Sequence, residues 1–239
     1  EGEAVLVHTG EGPAVTVRTD GAELSGLTVR DLRAVPDTAA VVVEGSRNRL
    51  HRLAIETAGT GVQLREADGN RIEGLAIDGS AGGVAEDDSD GPAKRGNGID
   101  LWKSHNNAIE GNRISRMFDG IYVESSNGNL ISGNEVTRSR YGYHIMFGND
   151  NRLIGNAGFQ NVTGAMVMGA KRTEVIGNTF VKQTESVNAQ GLLLYDAADS
   201  VVKDNTVEGN RVGIYVEAAA DNEIAGNTVA RNFIGLQLL

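Results

Sequence analysis

No cysteine occurs anywhere in this chain, which excludes disulfides and thiolate metal sites and fits an exported protein as well as a cytosolic one. Prolines are also scarce: 3 stand against 32 glycines, a balance that suits many tight turns and not flexible linkers. Positive charge is in deficit, with 22 Lys and Arg against 32 Asp and Glu and a net charge of −10. A nucleic-acid partner would demand a basic stripe for its phosphates, and none is present. Signal-peptide patterning and apolar runs of membrane-spanning length are missing too.

What the chain does have is a period. Three successive segments align without gaps: GIDLWKSHNNAIEGNRISRMFD (98–119), GIYVESSNGNLISGNEVTRSRY (120–141) and GYHIMFGNDNRLIGNAGFQNVT (142–163). Each is 22 residues long and opens on Gly. The fifteenth position carries Asn112, Asn134, Asn156, Asn178, Asn205 and Asn227, with Leu27, Leu53 and Leu75 in earlier repeats. A second ladder, at the tenth position, runs Asn48, Asn70, Asn107, Asn129, Asn151, Thr173, Ser200 and Asn222. A repeat of this length means a solenoid.

Within a repeat, apolar residues alternate over four or five positions, as in Ile121 and Val123, and then recur at Ile131 and Val136. That is strand periodicity, broken by Gly, Asn and Ser turns. The regular pattern of leucine-rich repeats is absent. The predicted fold is therefore all-β: a right-handed parallel β-helix (solenoid) of about nine to ten 22-residue coils with three short strands per coil. Nine coils at the strand spacing make a rod about 43 Å long. Inward columns such as Ile99, Ile121, Tyr143, Ala165, Leu192 and Ile214 form its core, and stacked Asn side chains satisfy the corners.

Residues 1–239 read as a single domain. A surface insertion, GGVAEDDSDGPAKRG, occupies 82–96, and smaller ones fall near 34–38 and 184–188, all just before an opening strand. The start at Glu1 and the stop inside a repeat at Leu239 read as a mature core or a fragment. Within the long insertion, Glu86, Asp87, Asp88 and Asp90 lack the glycine-punctuated spacing of an EF-hand and read as a solvated loop.

The outward face of the opening strands is where the repeats stop resembling one another. It presents Asp100 and Trp102, Tyr122 and Glu124, His144 and Met146, Met166 and Met168, Leu193 and Tyr195, then Tyr215 and Glu217. Three of the 4 methionines and the one tryptophan lie on this strip, which the insertions rim. Insertions mapping to one face of a repeat protein mark a binding face. The competing reading is a second small core beneath the long insertion, with Met as gap filler.

His144, Met146, Met166 and Met168 fall on two adjacent coils. Strand neighbours two apart are about 6.8 Å away and adjacent strands about 4.8 Å, so these side chains can converge. Thioethers plus imidazole, without a carboxylate, make a soft donor set suited to Cu(I) and not to Zn²⁺ or Ca²⁺. His8, His51 and His105 have no such partners and are expected at the surface. A second reading is enzymatic: Asp100, Tyr122, Arg140, Tyr141 and His144 as acid, base and charge-neutralising groups around a sugar acid, with Trp102, Tyr195 and Tyr215 stacking on sugar rings. The segment RYGYHIMF has the outline of the YGxDPHD motif of mannuronan C5-epimerases. However, His144 stands where that motif has Asp, Met146 where it has His and Phe147 where it ends on Asp, so its chemistry is lost.

The run from Arg116 to Leu239, including FDGIYVESSNGN, RYGYHIMFGNDNRLIGN, GAMVMGAKRTEVIGN, GLLLYDAADSVVKDN and NFIGLQLL, resembles the NosD family. These are periplasmic copper-binding accessory proteins of nitrous oxide reductase maturation. The RYGxHxM stretch and the Met-bearing coil after it are the distinctive part. The resemblance implies an exported, periplasmic or extracellular β-helix without catalysis of its own. It also implies copper, as Cu(I), an ABC transporter at the membrane, and a copper-delivery or reductase partner. A glycan ligand belongs to the enzymatic alternative.

Overall fold

A computed structural model describes residues 4–33, 37–80, 95–183, 186 and 189–239. Most of the 82–96 insertion, with its acidic residues, lies outside the described residues, as do 34–36 and four positions of 184–188. Gly96 already belongs to the stack: its N–H donates to Ala58 O, and its carbonyl accepts from the Phe118 N–H.

The described residues form twenty-nine short strands and no helix. They assemble into three sheets, in which each strand pairs in parallel with its equivalent one repeat along the chain. A coil consists of an opening strand, such as Asp119–Glu124, a middle strand, Leu130–Ser132, and a closing strand, Glu135–Thr137. The opening and closing sheets each hold ten strands and the middle sheet nine. This is the β-helix that the 22-residue period predicts.

Register follows the sequence alignment without slippage. Ile99 pairs with Ile121, Ile121 with Tyr143, Tyr143 with Ala165, Ala165 with Leu192, and Leu192 with Ile214. Every member of that column is buried in a single core. Volume is conserved between facing columns. Where the closing column shrinks to Gly158 and the opening column to Ala165, the rings of Tyr143 and Phe180 occupy the space, with centroids 6.1 Å apart. The buried Tyr143 hydroxyl lies 2.8 Å from the carbonyls of both Asn134 and Ala157, so its polar end is satisfied.

Asparagine ladders hold the corners. Along the fifteenth position, the Asn134 Oδ1 accepts from the Asn112 N–H and Nδ2, while Asn134 Nδ2 donates to Ile109 O and Asn156 Oδ1. The tenth position repeats the arrangement from Asn48 to Asn151. A third ladder, which the sequence reading passed over, runs through the twentieth position as Ser139, Asn161, Gln183, Asn210 and Asn232. It was hidden because one rung is Gln and another Ser.

Glycine serves two repeat positions for different reasons. The residue before a fifteenth-position Asn, such as Gly133 (φ 62), sits in the left-handed region that turns the chain inward, and it is Gly everywhere except before Asn205, where Asp204 (φ 55) takes the same conformation. The coil-opening Gly142 has no room for a side chain, since a Cβ there would lie 2.5 Å from Gly164 O.

Asn134→Ala should strand the Asn112 N–H and the Ile109 carbonyl in the core and lower stability by about 3 kcal/mol. Asn227→Ala, at the half-buried end of the same ladder, should cost under about 1.5 kcal/mol. Urea unfolding checks both. Equal losses would show that the ladder contributes by side-chain volume and not by satisfying buried polar groups.

Candidate functional site on the outward strip

Parallel pairing stacks the outward residues of the opening sheet into two columns. The first reads Asp100, Tyr122, His144, Met166, Leu193 and Tyr215; the second reads Trp102, Glu124, Met146, Met168, Tyr195 and Glu217. His144 and Met166 are therefore direct neighbours on adjacent strands, as are Met146 and Met168. All four predicted ligands come together. His144 is buried with 6% of its surface exposed, and the three methionines are half-buried.

The structure adds a carboxylate that the sequence reading left out. Asp119 immediately precedes the coil-opening Gly120 and is 1% exposed. Its Oδ2 lies 2.9 Å from His144 Nδ1. Arg140 grips the same carboxylate with two donors, Nε to Oδ1 at 2.8 Å and Nη2 to Oδ2 at 2.7 Å. The guanidinium is itself sandwiched, 3.7 Å from the Phe118 ring centroid and 4.3 Å from that of Tyr141. Burial alone would push the Asp119 carboxyl up, but the hydrogen bonds from His144 and Arg140 outweigh it and hold the carboxyl below the usual range. The signal was present in the sequence as an acid directly before a coil-opening glycine, in FDG. What links it to His144, 25 residues later, is only the stacking of coils.

The imidazole is caged. Tyr122 and Tyr141 each place a ring centroid 4.9 Å from it, one tilted and one edge-on. With Nδ1 facing Asp119, Nε2 is left buried without a hydrogen-bond partner among the described residues. Tyr122 Oη lies 3.7 Å from Met146 Sδ, within a weak hydrogen bond to sulfur.

Asp100, one coil before Tyr122, is also buried. Burial pushes its carboxyl up to about 6, the charges of Glu124 and Asp119 add to the rise, and the Asn97 amide, donating to Oδ2 at 3.1 Å, opposes it. Burial and the nearby Glu124 likewise raise the Tyr122 phenol. Asp100, Tyr122 and His144 of the enzymatic reading thus share one column, and Arg140 reaches it through Asp119. The aromatic residues of that reading do not share a subsite. Trp102, beneath the Lys103 ammonium, is four coils from Tyr195, or about 19 Å along the stack. Tyr215 bonds to Glu217 on its own strand.

Two histidines depart from expectation. His51 is buried, with Nε2 2.5 Å from Glu23 Oε1. Half-buried His105 serves as a rung of an outer corner ladder: its own N–H donates to Asp68 and its Nδ1 accepts the Asn127 N–H. Both are structural partners whose contacts lie one coil away, a distance the linear sequence does not display. His8 Nε2 lies 3.1 Å from Gly12 O.

The model of a family described as periplasmic copper-binding protein (NosD) matches residues 84–239. The chain belongs to the NosD family. No curated protein matches its sequence. Among solved structures, the A-module of a mannuronan C-5 epimerase from Azotobacter vinelandii superposes with a TM-score of 0.75 at 15% identity, covering 95% of this chain and 65% of that one. A tailspike protein of E. coli bacteriophage HK620, in complex with a pentasaccharide, gives 0.68 at 14% identity over 89% and 44%. An endo-xylogalacturonan hydrolase from Aspergillus tubingensis gives 0.61 at 11% identity over 96% and 74%. At these identities the likeness is one of fold, and the NosD chain spans less than two thirds of the first two structures.

Copper fits the residues on the strip. A metal-binding His almost always donates its other ring N–H to a carboxylate, a backbone carbonyl or water; His144 has the carboxylate form of that arrangement, with a second nitrogen that has no partner among the described residues. Thioethers on the next coil supply the soft donors that Cu(I) favours. No group of three His, Cys, Asp or Glu suited to a harder cation occurs among the described residues.

The buried Asp100 carboxyl generates a pH prediction. Its folded-state pKa lies above the ordinary value of 3.8, so the folded chain binds this proton more tightly and loses stability as pH rises from about 4 to about 6. Asp100→Asn should stabilise the protein by about 2 kcal/mol more at pH 7.5 than at pH 4. Urea midpoints at the two pH values decide it; a gain that does not change with pH would mean that Asp100 is ionised at no cost.

Proposed function

We propose that this NosD-family chain is an exported, periplasmic copper-handling protein that holds Cu(I) on its outward strip. His144 Nε2 and the thioethers of Met146, Met166 and Met168 are its donors. It serves the assembly of a copper centre in nitrous oxide reductase beside an ABC transporter and has no catalysis of its own. One observation carries this reading: a buried imidazole nitrogen with no partner among the described residues, placed beside a coil that presents two methionines. An unpartnered buried nitrogen is costly and calls for a ligand. The family description agrees with a copper role and a periplasmic location, and among the described residues no helix is long and apolar enough to cross a membrane.

A second reading, a polysaccharide-active or glycan-binding protein, is favoured by the Asp100, Tyr122, His144 column, in which a carboxyl held near 6 is poised for proton transfer. The fold is shared with proteins that process or bind sugars. Against it, Trp102, Tyr195 and Tyr215, the rings this reading needs for stacking on sugars, do not share a subsite, and the strip's charge is acidic where a uronate polymer would need neutralisation.

Met166→Leu together with Met168→Leu keeps volume and apolar character while removing both sulfurs. In an anaerobic competition titration with a chromophoric Cu(I) chelator, the parent should take up about one ion per chain, with Zn²⁺ and Ca²⁺ failing to displace it. The double variant should bind at least about tenfold more weakly. Equal affinity would make the methionines packing groups and remove copper from this strip. A parent that instead binds a uronate oligosaccharide, and loses it in Tyr122→Phe, would favour the second reading.

A further inference from the structure

The proposed donor set leaves open why His144 should offer one nitrogen and not the other. In water a neutral imidazole side chain favours the Nε2–H form, which has no lone pair at Nε2 and cannot bind a cation there. The observed surroundings impose the opposite choice. Nδ1 faces Asp119 Oδ2 at 2.9 Å, and that carboxylate cannot swing away because Arg140 holds both of its oxygens. Arg140 is in turn held between the rings of Phe118 and Tyr141. The rings of Tyr122 and Tyr141 pack against the imidazole itself and oppose a flip. A carboxylate with no hydrogen of its own can only accept, so the proton must sit on Nδ1.

We infer that Asp119, clamped by Arg140, is the positioning residue of the site: it holds His144 as the Nδ1–H tautomer and so commits Nε2 to the incoming cation. The inference rests on the copper reading for the identity of the cation, but the tautomer itself is a property of the metal-free protein. Asp119 touches no ligand and acts only through His144. Its pairing with Arg140 also explains a choice that core packing would not make, because a buried ion pair at a coil corner contributes less to stability than apolar residues of the same volume. The same arrangement accounts for the orphaned nitrogen. If Asp119 were absent, the ring could place its Nδ1 lone pair outward or turn its N–H to a neighbouring carbonyl. With Asp119 present, the unsatisfied atom is always Nε2.

Histidine-selective ¹⁵N labelling gives 4 ring systems, and His144 is assigned as the one missing from His144→Gln. Long-range ¹H–¹⁵N correlation on the metal-free parent should show His144 with a protonated Nδ1 and a bare Nε2. A His144 that is Nε2–H, or a mixture of both forms, in the parent overturns the inference without any variant having to fold. Asp119→Asn and Asp119→Ala should move His144 towards Nε2–H and weaken Cu(I) binding by about 10- to 100-fold. Thermal melts of each variant report folding. Arg140→Met, which frees the carboxylate without removing it, should give a mixed tautomer and a smaller loss of affinity. A folded Asp119 variant that keeps the parent's Cu(I) affinity overturns the positioning role. A parent that takes up no Cu(I) at all overturns the copper reading, whereas the tautomer measurement, made without metal, decides the role of Asp119 separately.

Discussion

Everything in this solenoid depends on satisfying polar groups at buried corners. Each coil must turn three times, and each turn points backbone N–H and C=O groups into a region that water does not reach. The solution is a side-chain amide that plays both roles at once, as Asn134 does between Asn112, Ile109 and Asn156. Because each amide bonds to the coil on either side, the ladder is a chain of mutually polarising hydrogen bonds. It also fixes the register: a one-residue slip would turn every inward column outward and break every rung. Stacking of equivalent residues, on which the candidate site rests, is therefore a consequence of the corners.

Regular stacking has a chemical consequence. On an ordinary surface, residues 22 positions apart have no defined relation; here they are neighbours at about the strand spacing of 4.8 Å. His144 meets Met166, Tyr122 meets His144, and Asp119 lies beneath the coil that carries Tyr141 and His144. The rigid core holds these side chains at fixed separation. A site with one imidazole and thioethers on two coils needs that rigidity, because flexible methionine side chains specify little by themselves. The ion pair of Asp119 and Arg140, walled by Phe118 and Tyr141, extends the same principle from the backbone to the ring of His144.

The strip also shows why one scaffold serves both sugar-processing proteins and a copper-binding family. The fold supplies a column of outward positions whose identities are free, since none of them contributes to the core or to a corner. In this chain the column passes from carboxyl and phenol through imidazole to thioether within four coils. Carboxyl, phenol, imidazole and thioether groups thus stand in register on one surface, which is why the two readings draw on overlapping residues.

The repeat length, the three strands per coil, the inward columns and two of the three amide ladders were legible in the sequence, because a solenoid writes its third dimension as a period. Once 98–119 is placed under 120–141, contacts such as that of Ile99 with Ile121 can be read directly, and so can the adjacency of His144 and Met166. The third ladder was obscured by Ser139 and Gln183, which do the work of Asn with different side-chain lengths. Tertiary structure alone decided what lies off the column positions. Asp119 and Arg140 sit at the turn into a coil, where the alignment gives a position but not a direction; His105 finds its partners one coil away at another corner, and His51 finds Glu23 across paired strands of the middle sheet. Side chains that alternate along a strand have their face dictated by the pleat, whereas those at a corner point wherever local backbone angles send them. The columns were therefore set by the sequence, and the orientation of the His144 ring by the fold.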